Sequence, residues 1–215
     1  APAYVVKDGR VIVPLEFDPS GSVFVVFREP DTMTDHVVTE KRRLVEVGEP
    51  IVLGGSWKLS FPPNWGAPES VTLDRLVSWH EHADSGVKHF SGTATYEKEV
   101  QIPAESLAKG GVLWLDLGVV KNLAKVKVNG VDLGILWKPP FRVDIATAAH
   151  AGSNRLEIQV TNLWPNRLIG DEQLPEDIGW WGKFDKRTGQ GVDWSKDWPQ
   201  WLVEGKPSPT GRLTF

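Results

Sequence analysis

The chain has no cysteine, which excludes disulfides, thiolate metal sites and a cysteine nucleophile. It has no apolar run near the roughly 18–20 residues needed to cross a bilayer. The longest, Val23 to Phe27, has the length of a strand, so a membrane is not an expected partner. It has no excess of bases either. Its 24 Lys and Arg are interspersed with 28 Asp and Glu, and the net charge of −4 leaves no basic stripe for nucleic acid. A Gly-x-Ser-x-Gly elbow, a P-loop and a His-Glu-x-x-His helix are all missing, so the intrinsic catalytic signal is weak. Tyrosine and methionine are scarce, at 2 and 1, whereas there are 11 tryptophans, five of them between Trp180 and Trp201. Indole is a stiff apolar plate with one donor, suited both to cores and to stacking on flat ligand faces.

The 215 residues suit one large domain, or one domain with part of a neighbour, and can bury a core without metals or disulfides. Residues 1–45 read as a hairpin and linker, either an added pair of strands or the end of a preceding domain. In it "VIVPLEF" (Val11 to Phe17) and "SVFVVFR" (Ser22 to Arg28) flank the turn formers Asp18-Pro19-Ser20-Gly21. Residues 46–215 form the main body. "SWKLSF" (Ser56 to Phe61), "TATYEKEVQI" (Thr93 to Ile102), "FRVDI" (Phe141 to Ile145) and "RLEIQVT" (Arg155 to Thr161) alternate as strands, and "VLWLDLG" (Val112 to Gly118) reads as a strand buried on both sides. In "LAKVKVNGVDLGIL" the pair Asn129-Gly130 asks for a two-residue hairpin turn, since both residues tolerate positive φ. Many short strands with almost no helical period predict an all-β fold, an antiparallel β-sandwich. After Asp171 a long Gly-, Pro- and Trp-rich irregular segment follows, expected to return as a strand at Arg212 to Phe215.

Three stretches carry candidate chemistry. Trp57, Trp114 and Trp137 fall within strand patterns and are expected in the core. "SWHEHADSG" (Ser78 to Gly86) sets His80 and His82 on one face of a presumptive strand. No third ligand accompanies them, so a polar loop beside a buried Trp79 is the commoner outcome. "RLEIQVTNLWPNRLIGDE" runs as a strand to Thr161 and then breaks at Asn162, Trp164-Pro165, Asn166 and Arg167. Such a cluster can grip a sugar, by stacking and hydroxyl hydrogen bonds, or grip another piece of protein.

The run from "GVLWLDLG" through "VKVNGVDLGILWKPPFRVDI" to "NRLEIQVTN" resembles the galactose-binding-like jelly roll called the sugar-binding domain of family 2 glycoside hydrolases. With "LVSWHEHADSGVKHFSGTATYEKEV" ahead of it and "TNLWPNRLIGDEQLP" behind, it is most similar to the C-terminal part of family 106, the α-L-rhamnosidases. The resemblance covers about Gly48 to Pro175. It implies a non-catalytic domain whose catalytic carboxylates and calcium belong to a separate barrel, in a bacterial periplasmic or secreted enzyme. It implies two loops over that barrel's sugar site, placing Trp79, His80, His82, Asn162, Trp164, Asn166, Arg167, Asp171 and Glu172 on a shared carbohydrate-binding rim. The expected partners are a rhamnose-containing glycan and the barrel. No catalytic residue, metal ligand or cofactor is assigned, a structural calcium being left open. Two rivals stand beside this reading: a purely structural buttress, and an independent glycosidase with an acid/base pair among Glu81, Asp84, Asp171 and Glu172.

Overall fold

The computed structural model of the chain describes residues 4–15, 17, 21–26, 35–36, 49–107, 111–175, 177 and 199–213. Residues 27–34, 37–48 and most of the Trp-rich segment, 178–198, lie outside the described residues, and with them most of the polar stretch Glu29 to Arg43. The chain divides into two units, residues 1–53 with 138–140, and residues 54–137 with 141–215.

In the first unit, β1 (Tyr4–Lys7), β2 (Arg10–Ile12) and β3 (Asp35–His36) form an antiparallel sheet in the order β2-β1-β3. Asp8 and Gly9, with φ of 51° and 70°, make the two-residue turn between β1 and β2. This corrects the expected pairing of Val11 to Phe17 with Ser22 to Arg28. Val11 and Ile12 pair backwards onto Val6 and Val5, and the described residues 21–26 are in no strand. The stronger local turn former won.

The second unit is the β-sandwich. Its large sheet holds β4 (Trp57–Ser60), β5 (Ser70–Leu73), β6 (Thr93–Ile102), β8 (Leu123–Val128), β9 (Val131–Leu136) and β11 (Gly152–Thr161), in the order β5-β4-β6-β11-β8-β9. The smaller sheet pairs β7 (Trp114–Asp116) with β10 (Arg142–Asp144). Every ladder is antiparallel. The spine is β6 on β11, in register from Thr93 opposite Thr161 to Ile102 opposite Gly152.

The alternation seen in the sequence sorts the two faces of this sheet. Ala94, Val100, Ala124, Val126, Val128, Leu156 and Ile158 are buried on one side. The other side carries Lys58, Glu97, Lys125, Lys127, Arg155 and Glu157, tied into ion pairs: Glu97 with Lys58 and Arg155, Lys127 with Glu157 at 2.9 Å. The Arg155 hydrogen bond, reinforced by Lys58, holds the Glu97 carboxyl below the usual carboxylate range against the opposing effect of burial. A face so charged is built for water.

Asn129 and Asn154 lock the hairpin of β8 and β9 to β11. Asn129 and Gly130 take φ of 51° and 83°, so the turn fits the two-residue hairpin expected of Asn-Gly. Asn129 Nδ2 donates to Asn154 Oδ1 at 2.7 Å and to the Ala148 carbonyl at 2.9 Å. Asn154 is fully buried and donates in turn to the carbonyls of His150 and Gly152. A buried amide with every partner in place specifies a single register.

Two tryptophans depart from expectation. Trp57 is buried, but Trp114 and Trp137 are 50% and 68% exposed. In β7 only Leu115 points inward, so that strand is not buried on both sides; Trp114 lies outside with the Arg142 guanidinium 5.1 Å from its ring centroid. A two-stranded sheet shields one face only. At the chain's end, Arg212 and Leu213 are in no strand.

Candidate functional site

The two segments singled out in the sequence fold at the end of the sandwich where β6 begins and β11 stops. Beneath them lies an aromatic core. Phe90 is fully buried, its ring centroid 4.8 Å from Phe61 and 5.5 Å from Trp79, with Leu59, Leu73 and Val87 around it. Trp79 is inside this cluster, and its indole N–H donates to the Tyr96 hydroxyl at 2.6 Å. Burial pushes the Tyr96 phenol above its ordinary value, with the indole hydrogen bond working against it.

The segment around Trp79 is not a strand. Trp79–Glu81 is a 3-10 turn, and α1 (Ser85–Lys88) follows, its N-terminus capped by Asp84 Oδ1 accepting from the Val87 amide at 3.0 Å. His80 and His82 therefore do not share a strand face. His80 Nδ1 meets Ser78 Oγ at 2.8 Å, and His82 Nδ1 accepts from the Asp84 amide at 3.0 Å. Among the described residues, no three His, Cys, Asp or Glu gather as a metal site.

Asn162 joins the two segments. Its Oδ1 accepts from the Gly92 amide at 2.8 Å, and its Nδ2 donates to the Phe90 carbonyl at 2.9 Å. Gly92 takes φ 140°, a conformation that residues with a Cβ rarely adopt, and a Cβ there would also stand 3.2 Å from the Phe90 ring. The residues after Asn162, read from the sequence as a loop, form a helix, α2 (Pro165–Glu172). Pro165 at its first position presets φ, which is the signal that Trp-Pro carried unread. The Arg167 amide donates to Ser91 Oγ at 2.9 Å, and a Cβ on Gly170 would come within 2.6 Å of His89 Cβ. The helix thus sits directly on the strap His89–Gly92.

Helix α2 is inverted relative to an ordinary surface helix. Arg167 and Asp171 are buried, at 7% and 3% exposure, and pair at 2.7 Å across one turn. Asp171 Oδ2 also accepts from the Leu213 amide at 3.0 Å, and Arg167 lies over Gly66, whose Cβ would stand 3.1 Å from the guanidinium. Facing out are Leu163, Trp164, Leu168 and Ile169, about half exposed each, with the exposed Glu172. Trp65 meets Trp164 with ring centroids 6.0 Å apart and extends this apolar surface. An amphipathic helix in water shows the opposite arrangement.

Of the nine rim residues, then, Trp79, Arg167 and Asp171 have their side chains inside, and Asn162 is spent on the strap. Trp164, Asn166 and Glu172 reach the surface of α2, while His80 and His82 sit on the 3-10 turn and its cap. Of the four carboxylates considered for acid/base work, Asp84 caps α1 and Asp171 points into the protein. The clasp on Leu213 and Gly66 had no forewarning in the sequence, because its partners are far apart along the chain.

The class of protein follows from comparison of this fold with known ones. The chain is similar to a rhamnosidase from Novosphingobium sp. PP1Y, at 43% identity and a TM-score of 0.68, over 80% of this chain and 16% of that one. It is also 43% identical over 169 residues to a protein of Formosa agariphila named "Putative beta-glucuronidase", covering 79% of this chain and 14% of that protein. A Ruminococcus gnavus β-glucuronidase overlaps more loosely, with a TM-score of 0.43. No protein-family profile matches the chain. The fold is that of a β domain found within such glycoside hydrolases, and the chain spans about one-seventh of the length of the first two relatives.

Proposed function

We propose that the chain is the non-catalytic β-sandwich domain of an α-L-rhamnosidase-like glycoside hydrolase, and that α2 with Trp65 is its seat on the rest of that enzyme, beside the sugar site. The observation that carries this is the inversion of α2. Its charged pair is consumed inside the domain, and its outward face is apolar. Exposed apolar area of that kind is stabilised by a protein partner. The charged outer face of the large sheet offers no such surface.

A hybrid tests the proposal. Residues 54–213 replace the matching stretch of the Novosphingobium rhamnosidase, and hydrolysis of an aryl α-L-rhamnoside is followed. The hybrid is expected to turn over. Leu168→Glu with Ile169→Glu should lower its activity on the order of thirtyfold or more, as when a central interface contact is lost. A folded but inactive hybrid, or one indifferent to the two charges, sinks the proposal. Turnover by the isolated chain would sink its non-catalytic part.

A second reading, a carbohydrate rim, is favoured by one observation: the Trp164 ring is half exposed at the start of α2, a helix that also exposes Glu172. It offers a pyranose a flat apolar face beside hydrogen-bonding groups. Titration calorimetry of the isolated chain with L-rhamnose and a rhamnose-rich pectin fragment is the check. Saturable heat that is absent in Trp164→Ala is the expected result for a rim. Absence of heat with both ligands leaves α2 as a joint alone.

A further inference from the structure

The outer face of the small sheet sets an aromatic plate beside unspent polar groups. In the ladder of β7 and β10, Asp144 stands opposite Trp114 and Arg142 opposite Asp116. Strand alternation puts all four on one side, while Leu115, between Trp114 and Asp116, is buried on the other. Trp114, Asp116 and Arg142 are exposed. The sheet that presents them is fixed at both ends, by the Leu117 amide on the Phe141 carbonyl and the Ile145 amide on the Leu113 carbonyl, each at 2.8 Å. Asp144 is consumed in the same frame, accepting from the amides of Leu113 and Ala146.

Arg142 and Asp116 are direct cross-strand neighbours of opposite charge, yet among the described residues neither makes an ion pair. The outward charges of the large sheet behave otherwise: Glu97 pairs with Lys58 and Arg155, Lys127 with Glu157, and Lys125 with Asp132. On the small sheet the guanidinium turns to the Trp114 ring, 5.1 Å from its centroid, and fixes the indole plane. Asp116 turns to the Gly118 amide, from which its Oδ1 accepts at 2.7 Å. Among the described residues no hydrogen-bond partner meets the guanidinium N–H groups, the indole N–H or Asp116 Oδ2.

A pyranose offers the complement: a C–H face for the indole, hydroxyl oxygens for the donors and a hydroxyl proton for the carboxylate. We propose that Trp114, Arg142 and Asp116 form a surface site for a neutral pyranosyl unit of a glycan, on strands other than the α2 joint. Charge makes the unit neutral, since an acidic sugar would gain Arg142 but face both Asp116 and Asp144. The sugar as occupant rests on the reading of the chain as a glycoside hydrolase domain, in which such a site would hold the enzyme on its polymer.

Nuclear magnetic resonance titration of the 215-residue chain tests it. One shallow sugar contact implies a Kd on the order of 1–10 mM. The neutral probes are methyl α-L-rhamnopyranoside and methyl β-D-glucopyranoside, the acidic one is D-galacturonate, and the Trp114 indole and Gly118 amide resonances are followed. At least one neutral probe should shift both saturably. Trp114→Ala should abolish the Gly118 shift, and Arg142→Met and Asp116→Asn should each weaken binding about tenfold. Galacturonate should bind at least about tenfold more weakly than the neutral probe. Trp164→Ala should change nothing. The three replaced side chains are exposed, so each variant should unfold within about 2 °C of the parent. The proposal is overturned by no saturable shift with either neutral probe, by a shift indifferent to the three substitutions, by loss of binding in Trp164→Ala, or by galacturonate binding as tightly. Binding is read in this chain and the domain assignment in the activity of the hybrid, so either can fail alone.

Discussion

Asp171→Ala is expected to lower the stability of the sandwich by about 3–5 kcal/mol, the usual loss when one partner of a buried ion pair is removed. Arg167 and Asp171 pair at 2.7 Å with side chains only 9% and 4% exposed. Deleting the carboxylate strands a guanidinium in the interior and frees the Leu213 amide it had satisfied. For a unit of this size the loss corresponds to a fall in melting temperature of roughly 6–20 °C. The physics also predicts an asymmetry. Arg167→Met combined with Asp171→Leu should recover most of the loss, because two apolar groups of similar volume need no mutual compensation. Urea unfolding of the two single variants and the double closes the cycle. A loss below about 1 kcal/mol in Asp171→Ala would mean that the pair does not bolt α2 down.

Phe90→Ala should cost a comparable 3–5 kcal/mol, or about that, by a different mechanism. Phe90 is fully buried between Phe61 and Trp79, and its own carbonyl accepts from Asn162. Truncation removes the ring's transfer free energy and leaves a cavity whose walls are anchored. Tyr96 is hydrogen-bonded to Trp79, and Gly92 is held by Asn162, so neither can collapse inward freely. Phe90→Leu keeps most of the volume and should lose less than half as much. Thermal unfolding compared with near-ultraviolet circular dichroism checks this, since Trp79 should lose its asymmetric surroundings in the alanine variant. A loss equal in both variants would locate the effect in the backbone and not in packing.

Strands whose information is local were legible from residues alone. Thr93–Ile102 begins and ends where its alternation does, and Asn129-Gly130 turns as its φ tolerance requires. Two further signals were equally local but masked by louder neighbours. Asp8-Gly9 is a hairpin turn overshadowed by Asp18-Pro19-Ser20-Gly21. Trp164-Pro165 opens a helix although Asn162 and Pro165 read as loop punctuation. The Arg167 and Asp171 spacing, one turn apart, pointed the same way.

By itself, then, the sequence determined an antiparallel sandwich, strands such as Thr93–Ile102 and the Asn129-Gly130 turn, whereas the β6–β11 spine emerged only in the fold. Only the tertiary structure decided which side chains of α2 face out. Arg167 and Asp171 go inward because Ser91, Leu213 and Gly66, distant along the chain, supply the seat for α2. Trp114 stays outside because the sheet it belongs to has only two strands. Alternation and helical period state that two faces differ. Which face is buried depends on what long-range packing brings against it, and that is a property of the assembled core, where charges are tolerated only once their partners have arrived.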